Sequence, residues 1–278
     1  MADTELAAAP NLTALFGKAA LDSIRPGRRG GELPGGGLSR SGVVVDRANL
    51  AAYDRVCGFR LSDELPATYP HVLVFGLQVA LMTSADFPFG MIGLVHVANR
   101  ISQTRPLRAD EPLVLRTRAE NLRPHERGTQ FDLVSEVLAD GEPVWSETST
   151  YLRRAKQAAA RPTEHADEPP AHPDAVWQVP ADAGRRYADV SGDRNPIHLH
   201  PLTARLFGFR RAIAHGMWSM ARCLAFFEGS LPAAYTVDVR FKLPILLPAT
   251  VTLTVTGDEF TLADRRTGRP HVTGRITP

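Results

Sequence analysis

Hydrophobic positions along the chain fall into two blocks of similar pattern. In each block a segment that is apolar nearly all round comes first, and shorter, partly alternating segments follow. Val72 to Thr83 is the first all-round apolar segment and Met217 to Phe227 the second. That pattern predicts a buried helix in each block. Gly93 to Ser102, Pro112 to Asn121, Gln130 to Leu138 and Val144 to Leu152 are rich in Val, Leu and Thr and are parted by Gly, Pro and Asp, so they read as strands. Asp140-Gly141 between two of them is a hairpin turn. Thr236 to Leu243, Thr250 to Thr256 and Gly268 to Ile276 repeat the strands in the second block. One long helix followed by a meander of antiparallel strands, twice, predicts an α+β chain in which each block wraps a curved sheet around its helix.

The two blocks also align residue by residue. Val43-Val44-Val45 through Tyr53-Asp54-Arg55-Val56-Cys57-Gly58-Phe59 matches Trp177-Gln178-Val179 through Tyr187-Ala188-Asp189-Val190-Ser191-Gly192-Asp193 without a gap. Tyr69-Pro70-His71 echoes Ile213-Ala214-His215, and each half later carries an Arg and a Pro near a strand. Such self-similarity is the mark of an internal repeat. The halves differ in length where the second inserts Asn195-Pro196-Ile197-His198, while Phe59 stands opposite Asp193 in the first. This predicts a duplicated domain in which one copy keeps the chemistry. The expected division is 1–154 for the degenerate repeat, 155–174 for a linker and 175–278 for the intact repeat. The linker is inferred from Pro162, Pro169, Pro170 and Pro173, which oppose regular structure. Leu12 to Leu21 reads as helix or strand. Gly27 to Gly37 is a glycine-rich loop without the Lys-Ser or Lys-Thr of a phosphate-binding loop.

Composition narrows the class. A formal net charge of +2 gives no field that would draw DNA or an anionic membrane. Cys57 and Cys223 have neither disulfide-framework nor metal-ligand spacing, which fits a reducing compartment. No apolar run approaches the roughly 20 residues of a membrane span. Asp3 and Glu5 replace the basic start of a signal peptide. The expectation is a cytoplasmic protein with no nucleic-acid or membrane partner.

Candidate chemistry concentrates between Tyr187 and Ala221. Asp193 and His198 flank an Asn195-Pro196 turn, and a rigid turn lets both side chains reach one water molecule. A carboxylate accepts the water proton while an imidazole orients the water or donates to it. Asn195 supplies a neutral donor and acceptor to hold either partner. Gly216 opens a helix, so its N–H lacks a partner within the helix and can polarise a carbonyl. The same residues allow plainer readings: Asp193 as a loop cap, Tyr187 as core, His215 as a loop-orienting residue. His198 and His200, with His215, raise metal binding, but no third ligand has typical spacing. Ser191 lacks the elbow of a nucleophile.

Tyr187-x-x-x-Ser191-Gly192-Asp193-x-Asn195-Pro196-Ile197-His198, then Gly208-Phe209, Ile213-Ala214-His215-Gly216-Met217 and Val239-Arg240-Phe241, resembles the MaoC-like dehydratases, the (R)-specific enoyl-CoA hydratase (hydratase 2) group, over most of residues 176–256. The resemblance implies a double hot-dog fold whose degenerate half widens the acyl pocket. It implies that Asp193 and His198 activate water for syn addition to a trans-2-enoyl thioester, with Asn195 in support and the Gly216 N–H on the thioester oxygen. Ser191, His215 and Met217 would border the substrate. Arg240 and Lys242 are candidates for the phosphates of the carrier, coenzyme A or acyl carrier protein. No cofactor or metal is implied, the setting is fatty acid metabolism, and the chain would be a monomer or homodimer. Arg194, between the Asp and the Asn, departs from the pattern. A non-catalytic acyl-thioester binder and a hot-dog thioesterase are the alternatives.

Overall fold

A computed structural model describes residues 3–24, 31–155 and 172–278. In chain order the elements are β1 (Thr4–Glu5), α1 (Leu12–Ile24), β2 (Leu38–Val43), α2 (Arg47–Cys57), α3 (Tyr69–Met82), β3 (Leu94–Gln103), β4 (Leu113–His125), β5 (Gly128–Ala139), β6 (Glu142–Arg154), β7 (Ala175–Val179), α4 (Ala183–Ser191), α5 (Pro196–Leu199), α6 (Pro201–Leu206), α7 (Gly216–Phe226), β8 (Tyr235–Phe241), β9 (Ala249–Thr256), β10 (Glu259–Asp264) and β11 (Pro270–Thr277). The expected linker falls mainly on 156–171 and part of the glycine-rich loop on 25–30, outside the described residues.

The chain forms two compact units, one of residues 1–47 with 63–159, the other of residues 48–62 with 160–278. In the first unit, strands pair in the order β1-β2-β4-β5-β6-β3, antiparallel except for β1 with β2. In the second unit the order is β7-β9-β10-β11-β8, antiparallel throughout. If β2 answers to β7, β3 to β8 and so on, the two orders are the same apart from β1, which has no counterpart among the described residues of the second. The strand succession is therefore not a simple meander. β3 pairs with β6, and β8 with β11, rather than with the next strand in sequence. Only neighbours joined by a tight turn must pair. Asp140 and Gly141, both at positive φ, make such a turn between β5 and β6, whereas the connection 104–112 contains Pro106 and Pro112 and does not.

Each long helix is apolar because its surroundings are. On α3, Val74, Phe75, Leu77, Val79, Leu81 and Met82 are buried, and Phe75, Val79 and Met82 join a cluster with Phe87, Phe89, Phe131 and Leu133. The edge-to-face pair Phe87–Phe131, with centroids 5.2 Å apart, is a favourable aromatic geometry. The same helix carries His71, which lies inside α3 rather than before it. Its Nδ1 donates to the Glu147 carboxylate at 2.8 and 3.0 Å, and Gln78 and Asn99 donate to that carboxylate too. Burial alone would raise the Glu147 carboxyl, but attraction to His71 and the hydrogen bonds from His71 and Asn99 hold it below the usual range.

In the second unit α7 buries Met217, Trp218, Met220, Ala221, Cys223 and Leu224. Helices α2 and α4 occupy matching places in the repeat. Each ends on a left-handed glycine, Gly58 at φ 86° and Gly192 at φ 76°, a conformation that glycine adopts without strain. Their equivalent tyrosines, Tyr53 and Tyr187, are both buried with ring centroids 6.1 Å apart. Asn49 donates to the Val190 carbonyl, and the Trp218 indole to that of Val56.

Candidate active site

The site is built on the loop that leaves α4. Gly192 turns the chain, and the next hydrogen bonds are local. The Asp193 N–H donates to Ser191 Oγ at 3.2 Å, and the Asn195 N–H to Asp193 Oδ1 at 3.1 Å. The Ile197 N–H donates to Asn195 Oδ1 at 3.4 Å, which caps α5 with Pro196 at its first position. Asn and Asp favour such turns because their side chains mimic backbone acceptors. Thus Ser191, Asp193 and Asn195 all shape the loop. Asp193 keeps its second oxygen, Oδ2, which lies 3.7 Å from His215 Nε2.

α5 then delivers His198. Its Nδ1 lies 2.8 Å from the Ile213 carbonyl, and a carbonyl only accepts, so this nitrogen carries the proton. Nε2 is left with a lone pair. His215 comes from the other side, as the residue before α7. Its Nε2 lies 3.0 Å from the Asp193 carbonyl and by the same reasoning is protonated. The two imidazoles stack with centroids 3.6 Å apart, and Tyr187 packs on His215 at 4.9 Å. Ile213 is fixed in turn, its N–H on the Ile197 carbonyl, while Ala214 donates to Ile245.

Burial governs the electrostatics. It lowers the proton affinity of His198, and the nearby Asp193 charge and the Ile213 carbonyl only partly restore it. Burial also holds His215 well below the ordinary histidine range, and proximity to His198 pushes it further down. Both rings are therefore neutral near pH 7. Possible ligand atoms of Asp193, His198 and His215 lie within 4.8 Å of one another, so among the described residues these could hold a cation. His200 is not among them: it is exposed and its Nδ1 accepts the Leu202 N–H at the start of α6.

Gly216 opens α7 next to His215, where the N–H groups of the first turn lack helical partners. A side chain at this position would also be tightly packed. A Cβ there would sit 3.0 to 3.2 Å from the Phe241 ring. Met217 is buried one residue further. Arg240 precedes Phe241 on β8, so strand alternation turns it away from the face that meets Gly216, and Lys242 follows the end of the strand. Arg240 is exposed.

Sequence reasoning passed over Gly184. A Cβ on it would collide with the His198 carbonyl, so α4 and α5 approach at backbone distance. No helix was expected over Ala183–Ser191, so nothing local marked this glycine as a packing contact. The Ile213 carbonyl carries no side-chain signal at all.

A buried neutral imidazole, a carboxylate and a helix N-terminus on one short loop system define a site for moving a proton and water beside a polarised carbonyl. The MaoC like domain matches residues 158–273. A Mycobacterium tuberculosis protein, 3-hydroxyacyl-thioester dehydratase X, is 39% identical over 254 residues, 88% of this chain and 90% of the relative. The crystal structure of HtdX from Mycobacterium tuberculosis superposes with a TM-score of 0.78 at 40% identity, covering 86% of this chain and 98% of that one. A MaoC-like dehydratase from Phytophthora capsici shares the fold, with a TM-score of 0.65 at 20% identity over 87% and 95% of the two chains. The chain belongs to the MaoC-like dehydratase family, and its fold is the double hot-dog.

Proposed function

We propose that this protein is a hydro-lyase that catalyses the reversible syn hydration of trans-2-enoyl thioesters to (3R)-hydroxyacyl thioesters. The observation that carries the reading is the pairing of Asp193 with a neutral His198 whose free Nε2 is an acceptor. A water molecule has two protons to offer, and the carboxylate and Nε2 are two acceptors for them. Its oxygen bonds to C3 as the C2–C3 π bond breaks. The electrons move toward the thioester oxygen, where the Gly216 N–H and the positive end of α7 stabilise the enolate. The proton taken by the Asp193–His198 pair then passes to C2 on the same face, and one water has been added. In the dehydration direction each step reverses.

In this reading Asn195 and Ser191 hold the loop, His215 fixes the plane of His198, and Met217 borders the acyl group. The second repeat carries the chemistry and the first is the acyl-pocket half. No cofactor takes part. A cytoplasmic setting is supported by two buried free cysteines, and no described helix is long and apolar enough to cross a membrane.

The test is the absorbance of the enoyl-thioester band with crotonyl-CoA and trans-2-dodecenoyl-CoA. Loss of absorbance without thiol release is expected. Thiol release in its place would mark a thioesterase. Asp193→Asn is expected to keep the fold and to cut kcat by at least about 100-fold, the scale of a lost acid–base group. A variant with full activity would remove Asp193 from the mechanism.

A further inference from the structure

Hydration chemistry makes no use of the cations outside the catalytic loop. Residues 182–211 hold Arg185, Arg186, Arg194, Arg205, Arg210 and Arg211 against Asp182, Asp189 and Asp193, a formal +3 in a chain whose total is +2. All six arginines are exposed. Arg185, Arg186 and Arg194 line one shallow depression of about 310 Å³ with Asp182, Asp189 and Leu199. This depression adjoins the site in sequence and by contact. Arg194 follows Asp193, and Arg185 donates to the carbonyl of Leu199, the residue after His198. Arg205 and Arg211 each donate to a backbone carbonyl, which engages only part of a guanidinium that has five N–H donors. The ion pair Arg194–Asp189 at 2.8 Å is solvent-exposed, so it holds its partners only weakly.

Apolar side chains stand among these cations. Leu202, Leu206 and Phe207, on and just after α6, are 63%, 82% and 40% exposed. α6 packs on α5 and α5 on α4, so the apolar and basic residues lie on adjoining elements of the second unit. A nucleotide would use the charge but leave three protruding hydrophobic side chains in water. Arginines interspersed with exposed Leu and Phe are instead the makings of a protein interface, where apolar contacts carry affinity and charge steers encounter.

We propose that this surface docks an acidic acyl carrier protein, which presents the enoyl group to Asp193 and His198 on its phosphopantetheine arm. The proposal rests on the enoyl-thioester reading above and names the carrier in it.

The experiment uses the full chain with Arg186→Glu combined with Arg210→Glu, and separately Leu206→Ser, none of them in the catalytic machinery. Thermal melting checks the fold of each. The same enoyl group is offered on coenzyme A and on an acidic acyl carrier protein. The charge variant is expected to lower kcat/KM for the carrier-protein substrate by at least about tenfold, mostly through KM, and to change that for the coenzyme A substrate by less than about twofold. Leu206→Ser is expected to act in the same direction with less salt dependence. Equal losses on both substrates would make the arginines a nucleotide subsite, and no loss on either would make them a solvated surface; either result overturns the proposal. Binding of the unacylated holo carrier protein, measured by calorimetry, separates docking from turnover. If wild type binds it and the charge variant does not, docking holds even where no hydration is seen. If wild type hydrates the coenzyme A substrate and does not bind the carrier, docking fails while the hydratase reading stands.

Discussion

His198 shows how far backbone geometry defines a candidate catalytic side chain. One hydrogen bond to the Ile213 carbonyl fixes which nitrogen is protonated, and a stacked His215 fixes the plane of the ring. Burial does the rest by keeping the ring neutral. The consequence is expected in the pH dependence of kcat/KM, which reports groups of the free enzyme. A lowered histidine pKa means that the neutral, active form persists as the pH falls through the ordinary value of about 6.5. Activity is expected to be level from pH 8 to about 6.5 and to fall only below that range. An acid limb centred above pH 7 would show that His198 is not held neutral. The candidates Asp193, Asn195, His198 and Gly216 were legible as a motif. Their protonation states were not, because a tautomer depends on which carbonyl lies opposite, and Ile213 is fifteen positions away.

At the scale of elements, close approach is what holds the loop. α4 comes within backbone distance of α5 because residue 184 has no side chain. Gly184→Ala places a methyl group against the His198 carbonyl, which is backbone and cannot rotate away. The variant is expected to lose about 1–3 kcal/mol of stability, the usual cost of overpacking, and to lose activity with it. Gly90→Ala is the control, since a Cβ there meets nothing within 4 Å. Chemical denaturation and the absorbance assay read both outcomes, and an unaffected Gly184→Ala would mean that the α4–α5 contact is not critical. The long apolar helices and most strands were visible beforehand, whereas α2 and α4 were not read as helices. The segments expected as Val72–Thr83 and Met217–Phe227 form α3 (Tyr69–Met82) and α7 (Gly216–Phe226), and Leu12–Leu21 resolves as helix. β10 was missed: Glu259–Asp264 is short and its flanking turns hide it. Strand order was invisible for a different reason. Alternation tells a strand which face is buried and nothing about which strand lies beside it.

At the scale of the whole molecule, the halves of the sequence are not the compact units of the fold. Residues 48–62, from the first half of the sequence, belong to the second unit with α4 and α7. That placement buries Asp54 completely. Burial, with some help from the charge of Glu228, raises its carboxyl to about 6, against the pull of the Ser62 backbone N–H and Arg55. A carboxyl whose folded pKa lies above its unfolded value costs stability once it ionises. The cost is absent below about pH 4, grows between about 4 and 6, and is constant above. Asp54→Asn is therefore expected to gain stability relative to wild type as the pH rises from 4 to 7, by at most about 3 kcal/mol. Denaturant midpoints across that range measure the difference. A difference that stays flat with pH would show that Asp54 titrates normally in the folded protein.

By itself the sequence determined the duplication, the two long apolar helices, most of the strands and the Asp-Asn-His motif with its glycine, because each is written in local spacing or in the match of one half to the other. The tertiary structure decided the strand order, the packing of residues 48–62 with the second unit and the neutral tautomer of His198. These depend on which distant groups share a neighbourhood, and burial, hydrogen-bond partners and proton affinity are properties of that neighbourhood and not of the chain.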